Sequence, residues 1–336
     1  MWAARSDPFD RKDPDMAILV TGGAGFIGSH LVERLAARGE KVVVVDDFND
    51  YYSPKLKRAN AALAAAAGDV RIAQGDIRDM RFLKGVFEAD NFSGVVHLAA
   101  RAGVRPSLAD PHLYLDVNLR GTLNLLELAR KSGVERFVFA SSSSVYGASR
   151  DVPFREDAPA DRPVSPYGAT KRAGELLVHS YAHLYGLKCA SLRFFTVYGP
   201  RQRPDMAIHK FTSSISAGRS IPFYGDGSSA RDYTYIDDIV DGVVAALDSA
   251  VAYEIVNLGD SSPVTLSRMV ETISSAVGRQ ALLDRQGDQP GDVPITFADI
   301  SKAARLLGFQ PKVPFEAGIE RFVSWHKKAK AEGLVD

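Results

Sequence analysis

A tyrosine and a lysine four residues apart are the pair in this sequence best suited to proton transfer. Tyr167 and Lys171 stand at the two ends of Tyr-Gly-Ala-Thr-Lys and share one face of a predicted helix. An ammonium beside a phenol stabilises phenolate, so the spacing predicts a lowered tyrosine pKa and a base that can deprotonate a substrate hydroxyl. Such a pair is common by chance. Ser142, at the end of a predicted strand 25 residues before Tyr167, supplies a hydroxyl for the same substrate oxygen, and the three together predict a catalytic centre.

A strand, a glycine turn and a helix near the start of the chain predict a dinucleotide site. The apolar run 17–20 leads into Thr-Gly-Gly-Ala-Gly-Phe-Ile-Gly, and a helical pattern follows at 29–38. Gly22 permits a sharp turn, Gly25 leaves room for a pyrophosphate, and Gly28 lets the helix lie close to the sheet. The first amides of that helix then face the phosphates.

Acids at two strand ends indicate how the adenosine is bound. Asp46 ends the second strand, where a carboxylate accepts bonds from the ribose hydroxyls and repels a 2′-phosphate, so NAD is favoured over NADP. Asp76 follows the third strand and can accept a bond from the adenine amino group, with a loop cap as the alternative. Asn118 lies in an otherwise apolar helical stretch at 113–131, so we expect it to have a satisfied polar role near the cofactor rather than a surface role.

The order of the elements predicts the fold. Continuous apolar strands at 42–45 and 95–98 are typical of a parallel sheet covered on both faces. The sequence therefore predicts the α/β class, with a Rossmann-type doubly wound parallel sheet and a smaller C-terminal α/β substrate domain. We predict a disordered extension at 1–15, an NAD-binding domain at 16–196 to which 231–258 returns, and a substrate domain made of 197–230 and 259–336.

Composition excludes several classes of partner. Lys+Arg and Asp+Glu both number 41 among 336 residues, which gives no electrostatic reason to expect nucleic acid or a membrane surface. No apolar run approaches the roughly 18 residues of a membrane span. Cys189 is the single cysteine, so an intrachain disulfide is impossible and a cytoplasmic location is favoured. His179 and His183 have metal-ligand spacing, but no third ligand is evident and no metal site is expected. His97 is expected in the core.

These signatures resemble the extended short-chain dehydrogenase/reductase family over nearly everything after residue 16. The motifs that carry the resemblance are the glycine turn, His97-Leu98-Ala99-Ala100, Ser142, Tyr167 to Lys171, Arg231-Asp232-Tyr233 and Gly291-Asp292. The resemblance implies a cofactor site lined by Gly22, Gly25, Phe26, Ile27, Gly28, Asp46, Asp47, Asn49, Asp76, Ile77, Leu98, Ala99, Ala100, Asn118, Tyr167, Lys171 and Phe195. It also implies that Arg231 holds the diphosphate of a nucleotide sugar, and that helices near 113–131 and 167–185 pair in a homodimer.

The residues beside Ser142 distinguish the branches of that family. Sugar 4,6-dehydratases typically have the sequence Thr-Asp-Glu at this point, and UDP-glucuronate decarboxylases typically have Thr-Ser-Glu. This chain has Ser142-Ser143-Ser144, with a carboxylate in neither position. The branch that remains is the 4-epimerases, which need one base and a hydride carrier.

Further motifs resemble the UDP-glucuronate 4-epimerases. They are Asp47 to Tyr52, Ala102-Gly103-Val104-Arg105, Phe194 to Pro200, Arg203-Pro204-Asp205-Met206 and Gln289 to Asp292. Arg101 and Arg201-Gln202 depart from the commonest pattern, which has Gln and Trp-Gly. The resemblance implies reversible C4 epimerisation of UDP-glucuronate to UDP-galacturonate through bound NAD and a 4-keto intermediate. The alternatives are a UDP-glucose or UDP-N-acetylglucosamine 4-epimerase and an inactive NAD-binding regulator, which the intact catalytic set disfavours.

A uronate differs from its parent hexose by one negative charge, so a selective site needs a cation or donors that a hydroxymethyl group cannot satisfy. We predict that Thr196 and Arg203 form this substrate contact, because a guanidinium binds a carboxylate through two parallel bonds. The alternative is that Arg203 pairs with Asp205 at the surface.

Overall fold

The structure, a computed structural model, describes residues 16–287 and 294–336. The predicted extension at 1–15 and the motif at 289–292 lie outside these residues. Seven strands form one parallel sheet: β1 (Met16–Thr21), β2 (Lys41–Asp46), β3 (Val70–Gln74), β4 (Asn91–His97), β5 (Arg136–Ser142), β6 (Lys188–Phe194) and β10 (Tyr253–Leu258). The other strands are β7 (Thr196–Tyr198), β8 (Ser220–Tyr224), β9 (Ala230–Tyr235), β11 (Pro263–Thr265), β12 (Leu282–Gln286) and β13 (Ile295–Thr296).

The large sheet has the order β10-β6-β5-β4-β1-β2-β3, and each neighbouring pair is parallel. The chain winds outward from β1 through β2 and β3, then returns to the other side of β1 and continues through β4, β5 and β6. Ligands of such sheets bind beyond the carboxyl ends of the strands where this direction reverses, which here lies between β1 and β4. The predicted doubly wound α/β fold is confirmed.

Twelve α-helices connect and cover the strands of the described residues. They are α1 (Phe26–Ala37), α2 (Pro54–Ala65), α3 (Met80–Ala89), α4 (Val104–Ala109), α5 (Pro111–Leu115), α6 (Gly121–Lys131), α7 (Pro166–Tyr185), α8 (Ala207–Ser216), α9 (Ile236–Asp248), α10 (Leu266–Val277), α11 (Ser301–Leu307) and α12 (Phe315–Ala331). No helix within residues 16–287 and 294–336 is long and apolar enough to cross a bilayer.

Both faces of the large sheet are buried at its central strands, which explains their continuous apolar sequences. Along β1, Ile18 and Val20 pack with α1 and α9, whereas Ala17 and Leu19 pack with α3, α6 and α7 on the opposite face. Because strand side chains alternate between faces, an apolar residue is needed at each of these positions. His97 lies in this core, as expected, between the hydroxyls of Thr21 (2.7 Å) and Thr122 (2.9 Å).

The helix predicted over 113–131 is not continuous. A π-helical turn, Asp116–Arg120, separates α5 from α6, and Asn118 lies within it. The Thr122 hydroxyl donates to the Asn118 carbonyl at 2.6 Å, so a side-chain hydroxyl bonds this backbone carbonyl of the helix. Such single-turn widenings occur frequently at functional sites.

The smaller sheets lie C-terminal to β6. Strand β9 pairs with β7, β11 and β13, and β8 pairs with β12. Within the segment 231–258, residues up to Tyr235 belong to β9 in this smaller sheet, whereas β10 joins the edge of the large one. The reason is local: β7 follows β6 after one residue and offers its own edge to β9.

Candidate active site

The glycine turn after β1 requires glycine at two positions for steric reasons. Gly22 has φ +72°, and a Cβ there would lie 2.7 Å from the Ala99 nitrogen. At Gly28 a Cβ would lie 2.1 Å from the Gly22 carbonyl oxygen. A Cβ on Gly25 would meet only this same oxygen, at 3.1 Å, and the Tyr52 hydroxyl, at 3.8 Å, so Gly25 borders open space. The turn therefore holds the start of α1 against β1 and leaves its first amides facing a cleft.

That cleft encloses about 370 Å³ at the carboxyl ends of the parallel strands. Nearly all of the predicted site residues line it: Gly22, Gly25, Phe26, Ile27, Gly28, Asp46, Asp47, Asn49, Asp76, Ile77, Leu98, Ala99, Ala100, Ser142, Tyr167, Lys171, Phe195, Thr196 and Arg203. The two that do not are Asn118 and Arg231. Among the other lining residues, Tyr51, Tyr52, Lys57, Arg101 and Met206 have large side chains and were not predicted as ligands from the sequence. They lie in loops and a helix, and the neighbouring sequence does not indicate which of their side chains reach the cleft.

Asn118 acts behind the cleft wall. Its Oδ1 accepts the Arg101 amide at 2.8 Å, and its Nδ2 donates to the Arg101 carbonyl and to the Thr170 hydroxyl, both at 3.0 Å. The side chain is buried, as expected, and its amide is satisfied by the protein. Asn118 thus ties the loop after β4 to the helix that carries Tyr167 and Lys171.

Arg231 lies on β9, outside the described walls of the cleft. Its Nη1 donates to the Ala230 carbonyl at 2.9 Å. The neighbouring Asp232 is buried and accepts the amides of Asp260, Ser261 and Ala298 at 2.7 to 3.0 Å. The central acid of the Arg231-Asp232-Tyr233 motif therefore ties the loop after β10 and the segment at Ala298 to β9.

The adenosine end of the cleft is acidic and prearranged. Asp46 is buried and accepts the amides of Ala24 (3.1 Å) and Phe48 (2.9 Å); burial raises its pKa, against these bonds and the charge of Lys57. Each oxygen keeps further acceptor capacity for a ribose hydroxyl. Asp76 accepts bonds from the Arg78 guanidinium, which hold its pKa below the usual value despite partial burial. These acids and the glycine cradle fit NAD.

The three catalytic candidates converge at the ends of β5 and α7. Ser142 ends β5, and Tyr167 lies in the first turn of α7, which starts where the Ser165 hydroxyl accepts the Gly168 amide at 3.0 Å. One turn later, Lys171 donates to the Ala140 carbonyl of β5 at 2.7 Å, and its Nζ lies 6.0 Å from the Tyr167 ring centroid. Helical spacing places the phenol and the amine on one face, as predicted.

The electrostatics differ from the expectation for Tyr167. Burial raises the pKa of Tyr167, and the opposing effects of the Ser142 hydroxyl and the Arg203 guanidinium are smaller. Burial also lowers the pKa of Lys171 to about 7, because no carboxylate compensates its charge. The expectation that Lys171 lowers the pKa of Tyr167 toward neutrality was therefore wrong for the protein without its ligands, since desolvation disfavours both charged forms.

Arg203 lies at the wall of the cleft and is paired with Asp205. It lines the cleft, and its Nε and Nη2 donate to the Asp205 carboxylate at 2.9 and 2.8 Å. The guanidinium carbon lies 5.5 Å from the ring centroid of Tyr51, and the side chain is 19% exposed. The pairing with Asp205 is real, but it lies at the wall of the cleft and leaves Nη1 without a bond to any described residue.

The acids that line the described cleft are Asp46, Asp47 and Asp76, all at its adenosine end. Beside Ser142 the lining residues are Ser143 and Ser144. Water elimination from a sugar needs an additional acid and base at this point, so the described cleft lacks the groups for that step. Residues 16–287 and 294–336 also contain no group of three or more His, Cys, Asp or Glu side chains that could hold a metal ion; His179 packs on Tyr253.

Comparison with known proteins gives consistent relationships. A sequence model described as GDP-mannose 4,6 dehydratase matches residues 19–322. The chain is 45% identical over 311 residues to the UDP-glucuronate 4-epimerase of Thermodesulfobacterium geofontis, covering 92% of this chain and 96% of that protein. The structure of the Bacillus cereus UDP-glucuronic acid 4-epimerase with UDP-glucuronic acid and NAD is 35% identical, with a TM-score of 0.86 over 93% of this chain and 99% of that one. The UDP-glucose 4-epimerase of Thermotoga maritima, solved with UDP-glucose, is 33% identical with a TM-score of 0.85 over 94% and 100%. The chain therefore belongs to the extended short-chain dehydrogenase/reductase family. Within that family it belongs to the group that the GDP-mannose 4,6-dehydratase model describes.

Proposed function

We propose that this protein interconverts UDP-glucuronate and UDP-galacturonate by epimerisation at C4, with NAD as its cofactor. The observation that carries the proposal is one cleft that contains Ser142, Tyr167 and Lys171 together with Thr196 and Arg203, and no carboxylate beside Ser142 among the described residues. Similarity to epimerases that act on this uronate supports the same conclusion.

The side chains perform the proton transfers of this reaction. Tyr167 takes the proton from the C4 hydroxyl, Ser142 donates a hydrogen bond to the same oxygen, and protonated Lys171 stabilises the phenolate. When bound, NAD supplies a reversible hydride acceptor for C4. The resulting 4-keto sugar turns over in the cleft, and Tyr167 returns the proton when C4 is reduced from its other face. One base therefore serves both directions.

Recognition of the uronate is assigned to the Thr196 hydroxyl and the Arg203 guanidinium. Thr196 begins β7, immediately after Phe195 of the cofactor wall, so it lies at the sugar end of the cleft. Arg203 lines the same cleft, and its Nη1 has no bond to a described residue while Asp205 holds its other nitrogens. Arg231 remains the proposed contact for the UDP diphosphate, since its strand β9 pairs with β7 beside Thr196.

The positions that depart from the commonest uronate pattern at 201–202 lie away from the sugar. Arg201 binds the Glu33 carboxylate at 2.9 and 3.1 Å, and buried Gln202 donates to the Val197 carbonyl at 2.9 Å. Neither residue lines the described cleft. These differences therefore change the packing behind the site, and they give no reason to prefer a neutral sugar.

A side-by-side assay tests the proposal. The purified protein is incubated with UDP-glucuronate, UDP-glucose and UDP-N-acetylglucosamine in turn, and the products are separated and identified. We expect UDP-galacturonate as the main product and the highest kcat/KM with UDP-glucuronate. A higher kcat/KM with UDP-glucose would make the protein a neutral-sugar epimerase, and no turnover of any UDP-sugar would support the inactive NAD-binding regulator instead.

We also propose a homodimer formed by α5 to α7. Large apolar side chains on these helices are more than a third exposed: Leu115, Leu123, Leu176, Leu184 and Tyr185. Pairing each helix face with its symmetry mate would bury them. A monomer mass by light scattering at micromolar concentration would contradict this assembly. A cytoplasmic location and the domain division predicted from the sequence are retained as proposals.

A further inference from the structure

The cleft contains one cation whose head group donates no hydrogen bond to a described residue. Its cationic lining residues are Lys57, Arg101, Lys171 and Arg203. Three of these have their head groups bound to acceptors, namely the oxygens of Asn49, the Ala140 carbonyl and the Asp205 carboxylate, in that order. Arg101 is the exception. No carboxylate of residues 16–287 and 294–336 lies within ion-pairing distance of its guanidinium, which lies over the face of Tyr51, 5.7 Å from the ring centroid.

The backbone of Arg101 is nevertheless firmly held. Both its amide and its carbonyl are bonded to the Asn118 side chain, which in turn donates to Thr170 of α7. Asn118 and Thr170 are buried, so this connection is protected from water. A guanidinium on a fixed backbone loses less conformational freedom when it binds an anion, which increases affinity.

The position of Arg101 is at the dinucleotide end of the cleft. Arg101 follows β4 and Tyr51 follows β2, and these strands flank β1 on its two sides. Their contact therefore joins the two walls of the cleft beside the glycine turn. Electrostatics agree with this position: burial opposes ionisation of Asp76, yet Arg78 and more weakly Arg101 hold its pKa low, whereas Arg101 does not contribute to the pKa of Tyr167.

We propose that Arg101 binds the diphosphate of the ADP half of NAD and thereby slows release of the cofactor between turnovers. A guanidinium can bind phosphate oxygens through two parallel hydrogen bonds, and no residue within 16–287 and 294–336 accepts a hydrogen bond from the Arg101 guanidinium. Glutamine, the residue of the commonest uronate pattern at this position, has an amide but no charge. The proposal rests on the use of NAD by the proposed epimerase, and it assigns this chain a tighter hold on the cofactor than a chain with glutamine at this position would have.

The test measures the cofactor itself. Wild type, Arg101→Gln and Arg101→Lys are purified with their bound NAD, and release is followed by exchange against labelled NAD at several salt concentrations. We expect Arg101→Gln to release NAD at least about ten-fold faster, as the loss of a charge-assisted bond implies. Arg101→Lys should recover part of the difference because it retains the charge, and Arg101→Gln should show a weaker salt dependence.

Arg58→Gln is the matched control. Arg58 is exposed, packs on an aromatic ring of the loop after β2, 5.1 Å from the Phe48 centroid, and does not line the cleft. Its loss should leave NAD release unchanged. Equal release rates for wild type and Arg101→Gln would overturn the inference while epimerase activity upheld the proposed function. A variant that bound UDP-glucuronate more weakly but retained NAD normally would also overturn it, by assigning Arg101 to the sugar.

Discussion

Replacement of Arg203 by methionine tests how the cleft distinguishes a uronate from a neutral hexose. The side chain is mostly buried, its Nε and Nη2 bind Asp205, and Nη1 remains for a substrate carboxylate. A hydrogen bond to a charged group contributes roughly 1.5 to 3 kcal/mol, which corresponds to about one to two decades in kcat/KM. Methionine keeps the apolar length of the side chain and removes this bond.

The single substitution has a second effect, because it leaves Asp205 without its cation. The Arg203 guanidinium holds the pKa of Asp205 below its usual value despite burial, so the remaining carboxylate would face an incoming uronate with a like charge. At a separation of about 6 Å and an effective dielectric constant near 20, that repulsion amounts to roughly 3 kcal/mol at most. We therefore expect Arg203→Met to lose about two to four decades on UDP-glucuronate. The double variant Arg203→Met/Asp205→Asn should lose only one to two.

The assay is steady-state kcat/KM on UDP-glucuronate and UDP-glucose for wild type and both variants. UDP-glucose has no C6 charge and is not repelled by Asp205, so its turnover, where present, should be nearly unchanged in both variants. In the single variant Asp205 keeps its burial and loses Arg203, so its pKa rises and its repulsion should weaken as the pH is lowered. Equal losses on both sugars would refute the reasoning and assign Arg203 to folding or to the diphosphate.

Three further predictions concern the catalytic set. Tyr167→Phe should fold and retain NAD but lose a factor of about 10² to 10⁴ in kcat, and Ser142→Ala should lose less, because water can replace a hydroxyl; activity above about a tenth for Tyr167→Phe would mean another base. Since the hydride that is removed is also returned, turnover should proceed without added NAD, and NADH released with each turnover would contradict this mechanism. Burial lowers the pKa of Lys171 to about 7, so in protein freed of NAD its contribution to the free energy of unfolding should increase by up to about 1.4 kcal/mol per unit between about pH 7 and 10. Denaturation of wild type against Lys171→Met checks this, and a difference that does not change with pH would contradict the lowered pKa.

Local patterns were sufficient for the parts of the site that depend on one element. A short stretch of sequence was enough to predict the glycine turn, the acid that ends β2 and the Tyr167–Lys171 pair. The structure brings these residues into one cleft. The resemblance of the sequence motifs to a known family added Phe195 and Leu98 to the predicted cofactor site. The parallel character of the large sheet followed from the same reasoning, because parallel strands buried on both faces have a continuous apolar pattern.

The remainder depends on contacts between distant segments and on burial. Nothing within five residues of Arg101 indicates that its guanidinium meets Tyr51, because the contact joins loops after β4 and β2. The role of Asn118 depends on a π-helical turn that hydrophobic periodicity does not reveal. The high pKa of Tyr167 results from desolvation by the folded chain, whereas the sequence shows only the neighbouring charge. Distance and solvent access are both products of the tertiary fold.

The residues around the sugar should also decide how the 4-keto intermediate is used. Oxidation of a uronate at C4 gives a β-keto acid, which loses carbon dioxide most readily when its carboxylate stands out of the plane of the ketone. Thr196 and Arg203 would hold the carboxylate near the ring plane, and no described carboxylate beside Ser142 is available for other chemistry at C5. UDP-pentose should therefore remain a minor product of the wild type, and its proportion should rise in Arg203→Met/Asp205→Asn, where the carboxylate is free to rotate. Product analysis of wild type and double variant after equal conversion measures this ratio. Abundant UDP-pentose from the wild type would make the protein a decarboxylase, and an unchanged ratio in the variant would show that Arg203 does not orient the carboxylate.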